Sequence, residues 1–234
     1  MADRPLPEIV RAVAIIMDGN ARWAQDRGLS VDDGHRAGSR ALRPVVEAAI
    51  DLGVESLAVF AFSTENWSRP RDEVELLMEI FAETIERELP DLAAQGVRTR
   101  FVGRRDRAPA SLQEKMAALE EATADKNRLQ LWIAFDYGGR AELVEAARRI
   151  YESGADPDDV DEELFASHLY EPQMPDPDLL IRTSGERRIS NFLLWQLAYA
   201  ELVFVDRHWP DFDGDALGSA IEDYASRRRR FGGR

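Results

Sequence analysis

Short apolar runs alternate along the chain with longer stretches in which apolar residues recur at helical spacing. The runs predicted as strands are residues 13–17, 56–62, 97–102, 129–135, 179–182 and 201–205. The stretches predicted as helices are roughly residues 34–52, 72–89, 110–124, 140–153, 161–169 and 215–228. Strands that alternate with helices predict an α/β fold with a mostly parallel sheet and right-handed crossovers.

The predicted helix at residues 72–89 has the clearest amphipathic pattern. Its apolar residues follow i, i+3, i+4 spacing, which predicts one broad buried face. The helix before it contains Pro44, which predicts a kink or a break. No repeat, linker or shift in composition divides the chain, so we expect a single domain over residues 1–234.

The charge balance limits the partners of the protein. The 234 residues include 30 basic and 44 acidic residues, a net charge of −14. We expect no nucleic-acid partner, because general binding of nucleic acid uses a broad cationic field. Any anionic ligand therefore has to be met by local arginines. The absence of cysteine excludes disulfides, thiolate nucleophiles and cysteine-bound metals.

The sequence predicts a soluble, cytoplasmic protein. Residues 1–8 have neither the basic start nor the apolar core of a signal peptide. The longest apolar stretch, residues 189–205, is interrupted by Asn191, Gln196 and Glu201, and it is too short and too polar to span a bilayer. Contact with a membrane surface stays open.

The first candidate site follows the first predicted strand, which ends in Asp18, Gly19, Asn20, Ala21, Arg22 and Trp23. Ligands of open α/β sheets bind beyond the carboxyl ends of the strands. A carboxylate followed by glycine and arginine suits a phosphate bridged by a metal ion, because the acid holds the cation and the arginine meets the oxygens. Taken alone, the segment fits a strand-to-helix turn with a capping Asp18 equally well.

Three further strands end in polar segments, at residues 63–70, 136–140 and 182–191. The last of them contains three arginines, a glycine and hydroxyl side chains. Arginine binds phosphate through two parallel hydrogen bonds, and hydroxyl groups satisfy the remaining oxygens. Because the carboxyl ends of parallel strands meet at one edge of the sheet, four such segments favour a phosphate site over four unrelated loops.

Eight segments carry a resemblance to a known family. They are DGNARW at 18–23, GHRAG at 34–38, FSTENWSRP at 62–70, YGGR at 137–140, IRTSGE at 181–186, RISNFLLWQ at 188–196, YAE at 199–201 and WPDF at 209–212. In this order they resemble the cis-prenyltransferases, and most closely the undecaprenyl diphosphate synthase branch, over roughly residues 12–233.

That family condenses isopentenyl diphosphate repeatedly onto an allylic diphosphate, here expected to be farnesyl or geranyl diphosphate, and forms cis double bonds. The resemblance implies a six-stranded, mostly parallel sheet surrounded by helices, with an apolar tunnel for the growing chain. It also implies a Mg²⁺ cofactor, a homodimer, and peripheral membrane contact for product release as an open addition. The product implied is undecaprenyl diphosphate for cell-wall lipid carrier synthesis.

The resemblance assigns catalytic and metal-binding roles to three residues. Asp18 is implied to hold Mg²⁺ on the allylic diphosphate, with Glu201 as a further metal ligand. Asn66 is implied to assist proton removal. Since a carboxamide has no useful basicity, we interpret Asn66 as positioning the substrate, with a diphosphate oxygen or water accepting the proton.

The resemblance also implies a larger set of substrate-binding residues. They are Gly19, Asn20, Ala21, Arg22, Trp23, His35, Ser63, Thr64, Glu65, Trp67, Arg69, Arg182, Arg188, Ile189 and Ser190. Residues 19, 20, 22 and 35 are implied to cradle the allylic diphosphate, and residues 182, 188 and 190 to bind isopentenyl diphosphate. Residues 23, 62 and 67 are implied to line the apolar mouth.

The sequence departs from the family pattern at Val31, where an arginine commonly contacts the allylic diphosphate. The missing charge-assisted contact is worth about 1.5–3 kcal/mol. Arg27, Arg36 or a neighbouring loop are the candidates to replace it, and a shifted substrate preference stays open. Further on, the basic run at residues 227–230 predicts a capped helix end, whereas the resemblance implies that residues 230–232 reach a neighbouring subunit's site.

Product length depends on the residues expected to line the tunnel. Ala61 leaves room beyond the first isoprene units, Leu77 and Phe81 follow, and Leu129 is predicted as a floor. Strand alternation turns Trp132 away from Leu129. We therefore predict a medium-to-long product. The alternatives are a short-chain synthase, an inert lipid-diphosphate-binding subunit, and a Mg²⁺-dependent phosphatase that uses Asp18 as its nucleophile.

Overall fold

The strands lie close to their predicted positions. In the computed structural model, which describes residues 10–227, they are β1 (Ala12–Ile16), β2 (Ser56–Ser63), β3 (Val97–Val102), β4 (Leu129–Tyr137), β5 (Leu179–Arg182) and β6 (Glu201–Phe204). They form one six-stranded sheet in the order β3–β4–β2–β1–β5–β6. All of its pairings are parallel, so the predicted single-domain α/β fold is confirmed.

Over the same residues, seven α-helices and three short 3₁₀ turns connect the strands. The helices are α1 (Asn20–Asp26), α2 (Val31–Asp51), α3 (Arg71–Ala94), α4 (Ala110–Ala122), α5 (Gly139–Ser153), α6 (Glu162–Ser167) and α7 (Gly214–Ser226). The 3₁₀ turns are Thr64–Ser68, Pro157–Asp159 and Trp209–Asp211. None of the helices described is both long and apolar enough to cross a membrane.

Two packed layers enclose the sheet. Residues of α2, α3, α4 and α7 form the larger core with one sheet face. Phe192, Leu193 and Leu197, in the segment between β5 and β6, cover the other face. Side chains of β4 alternate between the two layers as predicted: Leu129 belongs to the first core, whereas the Trp132 indole faces the second layer and donates to Ser56 Oγ over 3.0 Å.

The helices differ from the prediction in several places. The pattern predicts no helix at α1, which is short and follows Gly19 in a left-handed conformation. Helix α2 begins at Val31 rather than at residue 34, because Ser30 and Asp33 form a reciprocal capping box. Helix α2 also runs unbroken through Pro44.

Helix α3 passes Pro90 and ends at Ala94, beyond its predicted end at residue 89. Its last turns pack Leu92 against the core, and this tertiary packing outweighs the helix hydrogen bond that proline cannot donate. The predicted end of the last helix at residue 228 and the proposed contact of residues 230–232 lie outside the described residues.

Candidate active site

Asp18 follows β1 at the carboxyl edge of the sheet. Its backbone N–H donates to Thr183 Oγ1 over 2.9 Å, which ties it to the end of β5. Its carboxylate accepts from Arg182 Nη2 over 2.8 Å and forms an ion pair with Arg22 over 3.1 Å. Burial alone raises the pKa of Asp18, but the hydrogen bond from Arg182 and the two guanidinium charges outweigh it and lower the pKa. The lowered pKa favours the ionised carboxylate, and each of its oxygens faces one guanidinium group.

Arg182 connects Asp18 to the polar segment that follows β5. Its side chain is buried, and Nη1 donates to the Arg188 carbonyl over 2.5 Å and to Ser190 Oγ over 2.7 Å. Its Nε is buried without a hydrogen-bond partner among the described residues. Ser190 and Asn191 both have positive φ, 48° and 63°, so this guanidinium braces a loop in an unfavourable backbone conformation.

The side chains of Arg22 and Arg188 are more exposed than that of Arg182. Both pair with Glu186, and Arg188 is exposed. Arg22 also donates to the Ser184 carbonyl over 3.1 Å. Two guanidinium groups with exposed faces thus flank the Glu186 carboxylate. This arrangement suits a phosphate group.

Gly19 cannot be replaced without strain, because its φ is 107° and a Cβ there would lie 2.5 Å from Ser184 Oγ and 2.7 Å from His208 Nδ1. The Ser184 hydroxyl and His208 Nδ1 are 2.5 Å apart, and His208 Nε2 lies 3.2 Å from Asp26 Oδ2. This chain of contacts joins α1 to the loops after β5 and β6. Sequence reasoning missed it, since spacing alone leaves His208 far from its partners.

The 3₁₀ turn after β2 holds Asn66. The Ser63 N–H donates to Asn66 Oδ1 over 2.9 Å, so the amide oxygen is used within the turn. Glu65 accepts from Thr64 Oγ1 and from Asn191 Nδ2 over 2.9 Å, which fixes the turn against the loop after β5. The backbone N–H groups of Gly139 and Arg140 donate to Asn191 as well, so the carboxyl edge gathers all four polar segments into one connected network.

The fourth segment, at the end of β4, contributes through Asp136. This buried carboxylate accepts from the Trp67 indole over 2.8 Å and from Arg107 Nε over 2.9 Å. Trp67 therefore lies beside α4 and lines a separate groove rather than the main cavity. Trp23 is also tied down, since its indole donates to Asp211 over 2.7 Å. Of the three predicted mouth residues, Phe62 alone lines the main cavity.

A cavity of about 200 Å³ begins at this edge and extends between α2, α3 and the sheet. Asn20, His35, Asn66 and Arg69 line its entrance. Among the described residues, Asn20 Oδ1 is buried without a hydrogen-bond partner, so the entrance offers an unsatisfied amide oxygen to a ligand. His35 Nε2 is also buried and lies 3.5 Å from Glu73 Oε1. Burial, followed by the charge of Arg69, lowers the pKa of His35.

The predicted tunnel residues take different positions. Ala61, Leu77 and Phe81 line the cavity. Leu129 is fully buried at the start of β4 but does not line it, and Leu131 on the same strand does. Leu129 is the first residue of β4, and the strand lines the cavity only further along, at Leu131 and Ile133.

Glu201 is the predicted site residue that the structure does not bring to Asp18. It opens β6 and pairs with Leu179, the first residue of β5, so it lies at the amino edge of the sheet. Its carboxylate forms an ion pair with Arg227 over 3.0 Å. A metal ion shared with Asp18 would therefore need Glu201 from a second copy of the chain, and its role stays a prediction.

Neither of the two arginines near position 31 takes the place of the missing arginine. Val31 is exposed at the start of α2. Arg27 lies over the Trp23 ring and pairs with Asp211, and Arg36 pairs with Glu83 of α3. Both candidates are engaged elsewhere.

The donor set at the edge fits Mg²⁺ in one specific way. Among the described residues, no group of three carboxylate or imidazole side chains could enclose a metal ion. Mg²⁺ is commonly held by one or two carboxylates together with substrate phosphates. Asp18 beside Arg22 and Arg182, side chains of the type that binds phosphate, meets that requirement.

Comparisons with known proteins find a matching family model and similar relatives. Residues 16–232 match the family model described as putative undecaprenyl diphosphate synthase. The chain is 48% identical over 232 residues to ditrans,polycis-undecaprenyl-diphosphate synthase ((2E,6E)-farnesyl-diphosphate specific) of Xanthomonas oryzae pv. oryzae, covering 97% of this chain and 90% of the relative. It is 48% identical to the isoprenyl transferase of Thermotoga maritima, covering 96% and 97%.

A solved structure shares the fold. Lavandulyl diphosphate synthase from Lavandula x intermedia, in complex with dimethylallyl diphosphate, matches with a TM-score of 0.93 and 35% identity. The match covers 96% of this chain and 99% of that one.

Proposed function

The chain belongs to the undecaprenyl diphosphate synthase family of prenyltransferases, and from that premise we propose that it condenses isopentenyl diphosphate repeatedly onto farnesyl or geranyl diphosphate. The product proposed is a medium-to-long polyprenyl diphosphate, near undecaprenyl, that serves as a cell-wall lipid carrier precursor. The observation that carries the proposal is that the Asp18–Arg182 ion pair lies at the sheet edge where a largely apolar cavity, lined by the adjacent residues Met17 and Asn20, begins.

In each cycle a carbon–carbon bond forms between the isopentenyl terminal carbon and the allylic carbon. The allylic carbon–oxygen bond breaks, diphosphate leaves, and a proton is lost from the isopentenyl unit. Arg22 and the backbone at Gly19 hold the departing diphosphate, where negative charge develops. Mg²⁺ bound at Asp18 would supply further stabilisation of that charge.

Arg182, Arg188 and Ser190 bind the isopentenyl diphosphate in this proposal. The loop that carries them is already braced on Arg182, so little ordering is needed when substrate arrives. Asn66 positions the substrate through its amide N–H₂, because its oxygen is occupied by the Ser63 N–H. The lost proton goes to a diphosphate oxygen or to water.

The cavity between α2 and α3 accepts the growing chain, since its middle is apolar and closes off water. The protein acts in the cytoplasm as a homodimer, and the hydrophobic product leaves it at a membrane surface. No nucleic acid takes part.

Ala61→Leu should shorten the main product by several isoprene units, because the larger side chain fills the upper cavity. Chromatography of dephosphorylated products measures this. Ala82→Leu is the matched control, since Ala82 lies on α3 in the separate groove and its replacement should leave product length unchanged. A wild-type protein that stops at C15 or C20 would contradict this view of Ala61.

The proposal is tested by giving the purified chain alone farnesyl diphosphate, radiolabelled isopentenyl diphosphate and Mg²⁺. We expect label to enter butanol-extractable polyprenyl diphosphate. Incorporation that appears only after a second polypeptide is added would identify an inert subunit instead. Release of inorganic phosphate without incorporation would identify a phosphatase, although Asn20 stands where that chemistry needs a second acid.

A further inference from the structure

The far end of the cavity is charged, although its middle is apolar. Helices α2 and α3 both start at the carboxyl edge and run side by side away from it, joined in turn by Ser39–Thr84 and Arg43–Glu88 contacts. Arg43, Glu88 and Asp91 line the cavity where it ends. Along α3, the distance from Leu77 to this end corresponds to several helical turns.

Glu88 is the central member of this charged floor, which comprises Arg43, Glu88 and Asp91. Its side chain is 9% exposed, and its carboxylate accepts from Arg43 Nε over 2.8 Å and from Arg87 Nε over 2.6 Å. Arg43 also pairs with Asp91. Four apolar residues line the same end of the cavity, Ile85, Leu92, Phe101 and Leu119, together with Gln95 at the end of α3.

The need to join α2 to α3 does not by itself account for the buried carboxylate of Glu88. Arg36 and Glu83 already join α2 to α3 at a site where the Glu83 side chain is 51% exposed. Burying an ion pair carries a desolvation cost that its attraction rarely exceeds, so Glu88 contributes little to stability over an apolar residue. Its placement at the end of an apolar cavity therefore points to a role in that cavity.

We propose that the charged floor of Arg43, Glu88 and Asp91 sets the product length. This inference rests on the proposed function. A hydrocarbon tail gains free energy while it covers the apolar middle of the cavity. Advancing it into the charged floor would strip the remaining water from these ions without offering a hydrogen bond in return. Chain growth therefore ends where the tail reaches Arg43 and Glu88.

The test replaces the pair by residues of similar length without charge, Arg43→Met/Glu88→Met. With farnesyl diphosphate and excess isopentenyl diphosphate, the main product should become longer by about one isoprene unit or more, because apolar surface replaces the ions. Lys115→Met/Glu86→Met is the matched control: it removes another ion pair of α3, with α4, that does not line the cavity. Its product ladder should equal that of the wild type.

Arg43→Gln/Glu88→Gln provides a second variant in case the methionine pair folds poorly. It keeps the hydrogen-bonding capacity, removes the charges, and should lengthen the products in the same direction. Normal label incorporation with an unchanged ladder in the folded variants would overturn the charged-floor inference alone. Absence of incorporation by the wild type would overturn the proposed function, and the inference with it.

Discussion

Asp18→Ala is expected to lower turnover by at least about 10²–10³, the scale for removing one preorganised electrostatic group. Asp18 carries the carboxylate nearest to Arg22 and Arg182 at the edge, and it is ionised. The fold should persist, because the Asp18 backbone N–H still donates to Thr183 Oγ1, and Arg182 keeps its bonds to the Arg188 carbonyl and Ser190, when the carboxylate is removed. Initial rates of label incorporation, together with a thermal melt, measure both effects.

Asp18→Asn removes the negative charge of residue 18 and keeps the size of its side chain. The amide oxygen can still accept from Arg182, so the loop after β5 should keep its position while turnover falls as in the alanine variant. Asp125→Ala is the control, since Asp125 is exposed and pairs with Lys126 away from the site. Near-normal rates for Asp18→Ala in Mg²⁺ would remove Asp18 from the mechanism.

The second large effect is expected from Arg182→Met, which should lower kcat/KM for isopentenyl diphosphate by about 10² or more. The variant removes a buried guanidinium that reaches Asp18, the Arg188 carbonyl and Ser190 together. The loss should include a higher KM, because the loop that binds isopentenyl diphosphate loses its brace. Steady-state kinetics with each substrate varied in turn measure the split.

Arg182→Lys tests whether the fork geometry matters or the charge alone. An ammonium group cannot replace two guanidinium nitrogens that serve three partners, so this variant should remain strongly impaired. Arg128→Lys, at an exposed arginine before β4, is the control and should leave both constants unchanged. Full activity of Arg182→Lys would contradict the bracing role.

The sheet and the polar edge could be predicted from sequence because both rest on local patterns. Residues 97–102 and 179–182 match β3 and β5, since apolar runs of strand length have few alternative interpretations. The convergence of Asp18 with residues 182–191 followed from the rule that parallel strands end at one edge. The orientation of Trp132 followed from period-two alternation and is confirmed.

The parts that were missed depend on distant contacts. Ser184 and His208 meet only because β5 and β6 are neighbours, and no spacing in the sequence indicates that. Leu129 is buried but does not line the cavity, whereas Leu131 on the same strand does. Which of these residues reaches the cavity depends on how the helices pack over the sheet. Glu201 was assigned from a motif, and a motif does not say at which edge of the sheet a strand begins.

The most direct test of the account is the stoichiometry of the reaction at the purified protein. Diphosphate release and incorporation of labelled isopentenyl units are measured in the same mixture of farnesyl diphosphate, isopentenyl diphosphate and Mg²⁺. We expect one diphosphate to be released for each isopentenyl unit incorporated, throughout elongation. In Asp18→Ala, diphosphate release and incorporation should both fall by the same factor. Diphosphate or phosphate released without incorporation, or no turnover by the wild type, would contradict it.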